Sequence, residues 1–462
     1  MTDVDVTRAI RARLESLPIR PWHLAVFVIC ALSLLCDSAD QFLIISIAPL
    51  LIREWGISSA QLGLVVAATG IGGVIGAPIF GALADRLGRR RCMMLSIAIY
   101  TLLTALAALS QNISQLLVIR ARSGIGLGGI VPVTLAYVSE YSPPRWRGRV
   151  VAWWNSMFAF GIPLAGAVGL LVIVPYGWRW GFVIGALPIV LIAGIAWLPE
   201  SVRYLLAKNR TEEALRTIAR VERAVLGAAK PANAGASAPD ATRGAVPAAA
   251  GPRAWRVLGL LNAPGMRVTM IASAVLWFLP ASLLLSSFYG VFLTQAKGMD
   301  LRAAIALVTA TSALGPLGQL FAGFSSNWVG RKATLTIALC LLGAMPLAAF
   351  DIAQSSGLVY LCLTLAWIGT SAIYGTAFGY TSEQLPTELR SGALGVFEGL
   401  RRLGGAVGPA MIGLLYGLFG LTPVLWIAAS GCLLTIVVVL ALGRETRGKP
   451  MTEMEHLVGT AG

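Results

Sequence analysis

Twelve runs of about 20 residues in this chain carry almost no charge, and that is the length a helix needs to cross the hydrocarbon core of a bilayer. They fall near 23–50, 60–84, 92–110, 113–138, 150–174, 179–198, 267–294, 303–327, 332–350, 357–381, 391–418 and 421–443. With no water to satisfy backbone groups inside lipid, each run has to be helical. Composition agrees. Hydrophobic residues make up 57% and charged residues 12%, with a mean hydropathy of +0.77; a soluble domain carries roughly 25% charged residues. The expected fold class is an all-α membrane protein of twelve transmembrane helices.

The chain also repeats itself. Residues 81–91 (GALADRLGRRR) and 323–332 (GFSSNWVGRK) are about 242 positions apart, each a glycine-opened polar turn ending in cations. Glu140, Pro143 and Arg147 recur as Glu383, Pro386 and Arg390 with the same internal spacing. A repeat of this length among membrane spans indicates one six-helix bundle duplicated and fused. The implied organisation is a tail (1–22), a first bundle (23–198), a hydrophilic segment (199–266), a second bundle (267–443) and a C-terminal tail (444–462). Within the hydrophilic segment, 199–226 has apolar residues spaced for short amphipathic helices, whereas the Ala/Pro/Gly-rich 227–252 reads as a disordered tether.

Sidedness follows from the cations. With both termini cytoplasmic, 28 of the 36 Lys and Arg face the cytoplasm, four face the other side and four lie within spans. The net charge of +15 then reports topology and contact with anionic headgroups, not nucleic-acid binding. No signal peptide is evident, since Arg8, Arg11, Arg13 and Arg20 precede a full-length span. The six cysteines sit in or beside spans without a C-x-x-C pair, so packing is expected and no metal site or cofactor. GIGLGG at 124–129 matches a dinucleotide loop formally, but it lies inside an apolar span, where it suggests close helix packing. No motif for catalysis stands in a fitting context, and enzyme activity is not expected.

Ionisable groups inside a membrane are costly and need a reason. Asp37 lies roughly 21 Å along the first span and Asp40 is one turn further on the same face. The pair is either a proton-coupling site or a static hydrogen-bonded pair. Histidine is not available for the task, because His23 stands at a span entrance and His456 in the tail. Glu398, Arg401 and Arg402 cluster in the eleventh span at spacings that let the carboxylate reach either cation. The surplus cation suits an anionic substrate, although a closed salt-bridge network with Asp37 or Asp40 explains it equally. Trp153, Trp154 and Asn155, Trp277, Phe288 and Tyr289, and Tyr374, Phe378 and Tyr380 form a set that could hold a flat ring or simply pack.

GALADRLGRRR resembles the signature of the loop between the second and third helices in the major facilitator superfamily, carried by Gly81, Asp85, Arg86, Gly88, Arg89 and Arg90. Arg120 with Gly124, the Glu140 to Gly148 stretch, GWRWGF (177–182), PESVRYL (199–205) and GRETRGK (443–449) resemble its sugar-porter-like branch. Asp37, Asp40 and Ala48-Pro49 are similar to the D-G-x-D…A-P pattern of bacterial proton symporters for aromatic and nicotinate-type acids. Arg402-Leu403-Gly404 with Gly408-Pro409 is similar to their R-x-G…G-P pattern; Ser38 and Ala39 depart from it. The glutamines of true sugar porters are missing from 152–161 and 275–290, which lowers hexose as a substrate.

That resemblance implies two pseudo-symmetric six-helix bundles around a central cavity that Arg120 faces. It implies a gate on the cytoplasmic side formed by Asp85, Arg86, Arg89 and Arg90, braced by Glu140, Arg147, Glu383 and Arg390. The expected function is import of a small organic anion, an aromatic or heteroaromatic carboxylate, with protons by alternating access. The setting is the bacterial inner membrane, and the chain acts as a monomer. A proton-coupled exporter of drugs or metabolites is the rival, and a non-transporting ligand sensor the alternative of another class.

Overall fold

The computed structural model describes residues 3–226, 264–385 and 390–446. The 227–252 tether, Pro386, the side chain of Arg390 and residues 447–462 of the C-terminal tail lie outside the described residues. Among the described residues no strand occurs, and twelve helical spans follow one another: Pro21–Trp55, Ser59–Leu87, Arg89–Ala107, Ile113–Tyr141, Pro144–Tyr176, Trp178–Trp197, Met266–Gln295, Leu301–Ser326, Arg331–Ile352, Ser356–Glu383, Ala393–Phe419 and Leu421–Leu442. They form two six-helix bundles. Helix bonding is interrupted in the first span at Leu43 and in the seventh at Leu283 and Leu284, nearly the same place in each repeat. Irregular backbone at membrane depth is tolerated where it is enclosed by protein.

Inside each bundle small residues let helices touch backbone to backbone, since lipid supplies little hydrophobic force between them. A Cβ on Gly124 would sit 2.1 Å from the Thr69 carbonyl oxygen, and one on Gly128 2.4 Å from that of Gly73. The 124–129 run is therefore the seam between the second and fourth spans.

The N-terminal stretch, expected as a tail, contains a helix (Asp3–Ser16) docked on the first bundle through the surface helix Thr211–Leu226. Ile10 and Leu14 share a core with Ile218, Val221 and Val225. Arg13 donates two hydrogen bonds to Glu222, at 2.9 and 2.6 Å. These helices mark the terminal face of the protein.

The two bundles meet near the opposite, far face. A Cβ on Gly63 of the second span would lie 2.3 Å from the Pro409 carbonyl oxygen of the eleventh, and one on Gly413 2.3 Å from that of Ser59. Gly166 likewise abuts Thr309, and Gly290 abuts the Ile45 carbonyl. Towards the terminal face the bundles part, and a Cβ on Gly81, Gly148, Gly395 or Gly399 would meet open space. Because backbone cannot yield to a Cβ at 2.3 Å, Gly63→Ala is expected to disfavour this closed far face. Spin-label distances across the far face should lengthen in Gly63→Ala relative to wild type, and unchanged distances would refute the seam's role.

Candidate functional site

Just before the interruption of the first span, Asp37 and Asp40 are both buried, but in opposite surroundings. Asp40 is ion-paired, with its hydrogen bonds on Oδ1 and its carbonyl oxygen. Arg120 Nη1 lies 2.9 Å from its Oδ2 and 3.2 Å from its Oδ1, and Arg120 Nη2 donates to its carbonyl at 3.4 Å. Thr104 donates to Asp40 Oδ1 at 3.0 Å, and Arg120 Nε donates to Thr69 at 3.1 Å. The guanidinium also stacks 5.7 Å from the Phe182 ring centre. This is a closed buried ion pair, knitting the first four spans and the sixth together. Among the described residues Asp37 accepts no hydrogen bond at either carboxyl oxygen, and the polar groups around it are Gln41, Asp40 and the Arg402 and Arg401 guanidinia of the other bundle.

The eleventh span separates its two arginines. Arg401 holds Glu398 with a two-pronged pair of bonds, at 2.8 and 2.6 Å. Arg402 reaches Glu398 by one atom at 3.4 Å, and its Nη1 rests against Gly73 of the second span. One residue is a 100° rotation about the helix, enough to turn Arg401 towards its own bundle's carboxylate and Arg402 across the gap. Arg401 is flanked by Phe158 of the fifth span at 5.8 Å and Tyr374 of the tenth at 5.5 Å.

The ring set expected from sequence narrows. Trp154 is buried and donates to the Cys30 carbonyl at 3.3 Å. Trp277 donates to Thr381 at 2.9 Å and meets Phe378 edge-on at 4.6 Å, beside Tyr380. Phe288 stacks on Phe292. Trp154, Trp277, Phe378 and Tyr380 fill the cores of their own bundles and Phe288 lies in the core that both bundles share, while Trp153 is exposed and Asn155 half-buried. Tyr374 stays at the centre, as does Tyr289, which meets Trp367 edge-on. Three rings that sequence reasoning missed complete the lining: Phe42, Phe158 and Trp367, in contact at 6.1 and 6.5 Å from Phe42. The only sequence signal for Phe42 was its place half a turn past Asp40. Aromatic residues are too common in spans for that to single it out.

At the terminal face the repeat becomes a duplicated polar network. Arg89 Nε lies 3.4 Å from Glu140, which accepts from Ser201; Arg331 binds Glu383 at 3.0 and 3.2 Å, which accepts from Thr446. Glu200 accepts from the Arg90 amide, and Glu445 from the Arg331 and Lys332 amides. Each caps the helix opened by Gly88 or Gly330, both at φ +99°, where only glycine is relaxed. In the sequence these glutamates stand in separate motifs, PESVRYL and GRETRGK, and the spacing between them, 245, differs from that of the main repeat. Asp85 is exposed and pairs with Arg89 of its own bundle at 3.0 Å. Arg147 bonds the Ser139 and Ser142 carbonyls and approaches Glu15 at 3.7 Å, so it braces the loop beside Glu140 without pairing with it. Arg86 offers its carbonyl to Tyr204, and Arg90 donates to the Ala196 carbonyl.

Two six-helix bundles, closed at one face and parted at the other around charged groups at the midplane, define a major facilitator fold. The xylose transporter XylE from E. coli, in its partially occluded inward open conformation, matches with a TM-score of 0.71 over 93% of this chain and 100% of that one, at 18% identity. By sequence the chain belongs to the sugar (and other) transporter family, which matches residues 37–457. It is thus a membrane transporter and not an enzyme. The niacin transporter NiaP of Acinetobacter baylyi is 30% identical over 95% of this chain and 98% of its own length. The 4-hydroxybenzoate transporter PcaK of Pseudomonas aeruginosa is 35% identical over 45% of this chain and 47% of its own. The benzoate transport protein of A. baylyi is 25% identical over 86% and 84% respectively.

Proposed function

We propose that this transporter imports a small aromatic or heteroaromatic carboxylate together with protons, as a monomer in a bacterial inner membrane with both termini in the cytoplasm. The observation that carries this is the juxtaposition across the gap of Asp37, which has no hydrogen bond to its carboxyl, with Arg402, which has one long contact to Glu398. A substrate carboxylate that takes Arg402 withdraws the cation that balances Asp37. Charge balance then favours a proton on Asp37, so anion and proton enter as a unit. Asp40 and Arg120 keep their mutual pair and hold the first span in register. Phe158, Tyr374 and Trp367 offer flat faces and edges to a ring beside the guanidinia.

In this mechanism the terminal face is cytoplasmic, and the conformation described is open towards the cytoplasm. The paired terminal-face networks then hold each bundle's gate surface in shape. Contacts between the bundles at that face re-form when the carrier turns outward, and surface ion pairs are weak enough to break in each cycle.

The test is uptake of radiolabelled nicotinate, benzoate and 4-hydroxybenzoate into proteoliposomes. Accumulation of at least one against its gradient, dependent on an acidic exterior and abolished by a protonophore, is expected. Counterflow instead, with an acidic interior driving uptake and an acidic exterior driving efflux, would establish the exporter.

A further inference from the structure

Beside the terminal face of the first bundle lies a groove of about 480 Å³, far from Asp37 and Arg402. One wall is the start of the third span and the other is the surface helix Thr211–Leu226. Its cations outnumber its carboxylates, and the carboxylates are committed: Glu200 caps the third span and Glu213 is bound by Arg210 at 2.7 and 2.5 Å. Among the described residues three of its cations have no carboxylate partner. Arg90 and Arg220 donate only to the Ala196 and Trp197 carbonyls at the end of the sixth span, and Arg91 is exposed with no ion-pair partner among the described residues. Leu87, the last residue of the second span, and Met94 on the third add an apolar flank.

We infer that this groove binds one anionic phospholipid of the adjoining leaflet, its phosphate gripped by Arg90, Arg91 and Arg220 and its chains descending past Met94. Three guanidinia that line one groove without a carboxylate partner among the described residues suit a phosphate's spread of oxygens. The level is that of a headgroup, because the sixth span ends there at a half-exposed Trp197, an aromatic typical of the interface. The volume falls within the roughly 300–1,000 Å³ of small-molecule sites. A soluble phosphate would leave the apolar flank unused, which is why the lipid is the occupant chosen.

Full-length protein in detergent, titrated with dioleoylphosphatidylglycerol and followed by native mass spectrometry, tests this. Wild type is expected to bind one such lipid more tightly than dioleoylphosphatidylcholine. Arg91→Gln should weaken that first binding step about tenfold, the worth of one charge-assisted contact, and Arg91→Gln/Arg220→Gln further. Arg145→Gln/Arg149→Gln, on the same face but outside the groove, should leave it unchanged. Arg91 touches no partner that folding depends on, so the single variant is informative even if the double variant misfolds. An equal loss in the control variant, no preference over phosphatidylcholine, or displacement of the lipid by millimolar glycerol phosphate would each overturn the assignment.

Discussion

Asp37→Asn is expected to abolish pH-driven accumulation of the carboxylate in proteoliposomes while exchange of internal for external substrate continues. The substitution keeps the shape of the side chain and removes its proton. Because neither Asp37 oxygen accepts a hydrogen bond among the described residues and Arg402 keeps its contact with Glu398, the fold should be retained. Asp40→Asn is expected to behave differently. It strips the counter-charge from Arg120, whose side chain is only 4% exposed, and leaving one member of a buried pair alone costs about 3–5 kcal/mol. Its signature is therefore a lowered thermal midpoint in detergent, with transport lost along with the folded protein. If Asp37→Asn accumulates substrate at the wild-type level, the proton travels elsewhere; a marginally stable Asp37→Asn with normal Asp40→Asn would reverse the roles of the two residues.

Arg402→Lys is expected to lower affinity for the carboxylate by one to two orders of magnitude, equivalent to roughly 1.5–3 kcal/mol for one charge-assisted contact in a dry site. Lysine keeps the charge and loses the planar fork. Arg401→Lys should cost less in binding, because Arg401 spends its fork on Glu398 and faces the substrate mainly through its neighbours Phe158 and Tyr374. Equilibrium binding to purified, monodisperse wild type and the two variants makes the comparison. Equal affinity in wild type and Arg402→Lys, or a greater loss in Arg401→Lys, would assign the anion to Arg401.

The gap between what the chain declares and what folding decides is clearest at the charged pairs. Sequence placed Asp37 and Asp40 on one helix face, and Glu398 within reach of either arginine. It could not say that Asp40 is closed off by Arg120 of the fourth span while Asp37 stands without a hydrogen bond. Nor could it say that Glu140 would take Arg89, 51 positions earlier in the chain, rather than the nearby Arg147. The aromatic set shows the same limit. Trp154 and Trp277 turned into their own bundles, and Phe42, Phe158 and Trp367 turned to the centre, through rotations that no residue spacing records.

What the sequence determined by itself are the properties that act locally along the chain. Length and apolarity of a run make it a span, since each helix satisfies its own backbone in lipid. The repeat makes two bundles, and the spacing of cations biases their sidedness. Tertiary structure alone decided which helices touch, how each is rotated and at which face the bundles close. In a membrane those outcomes depend on small residues meeting carbonyls across helices, as Gly63 meets Pro409 and Gly124 meets Thr69. Every span is apolar on nearly all sides, so hydropathy cannot choose the face that packs, and only close contact between particular backbones does.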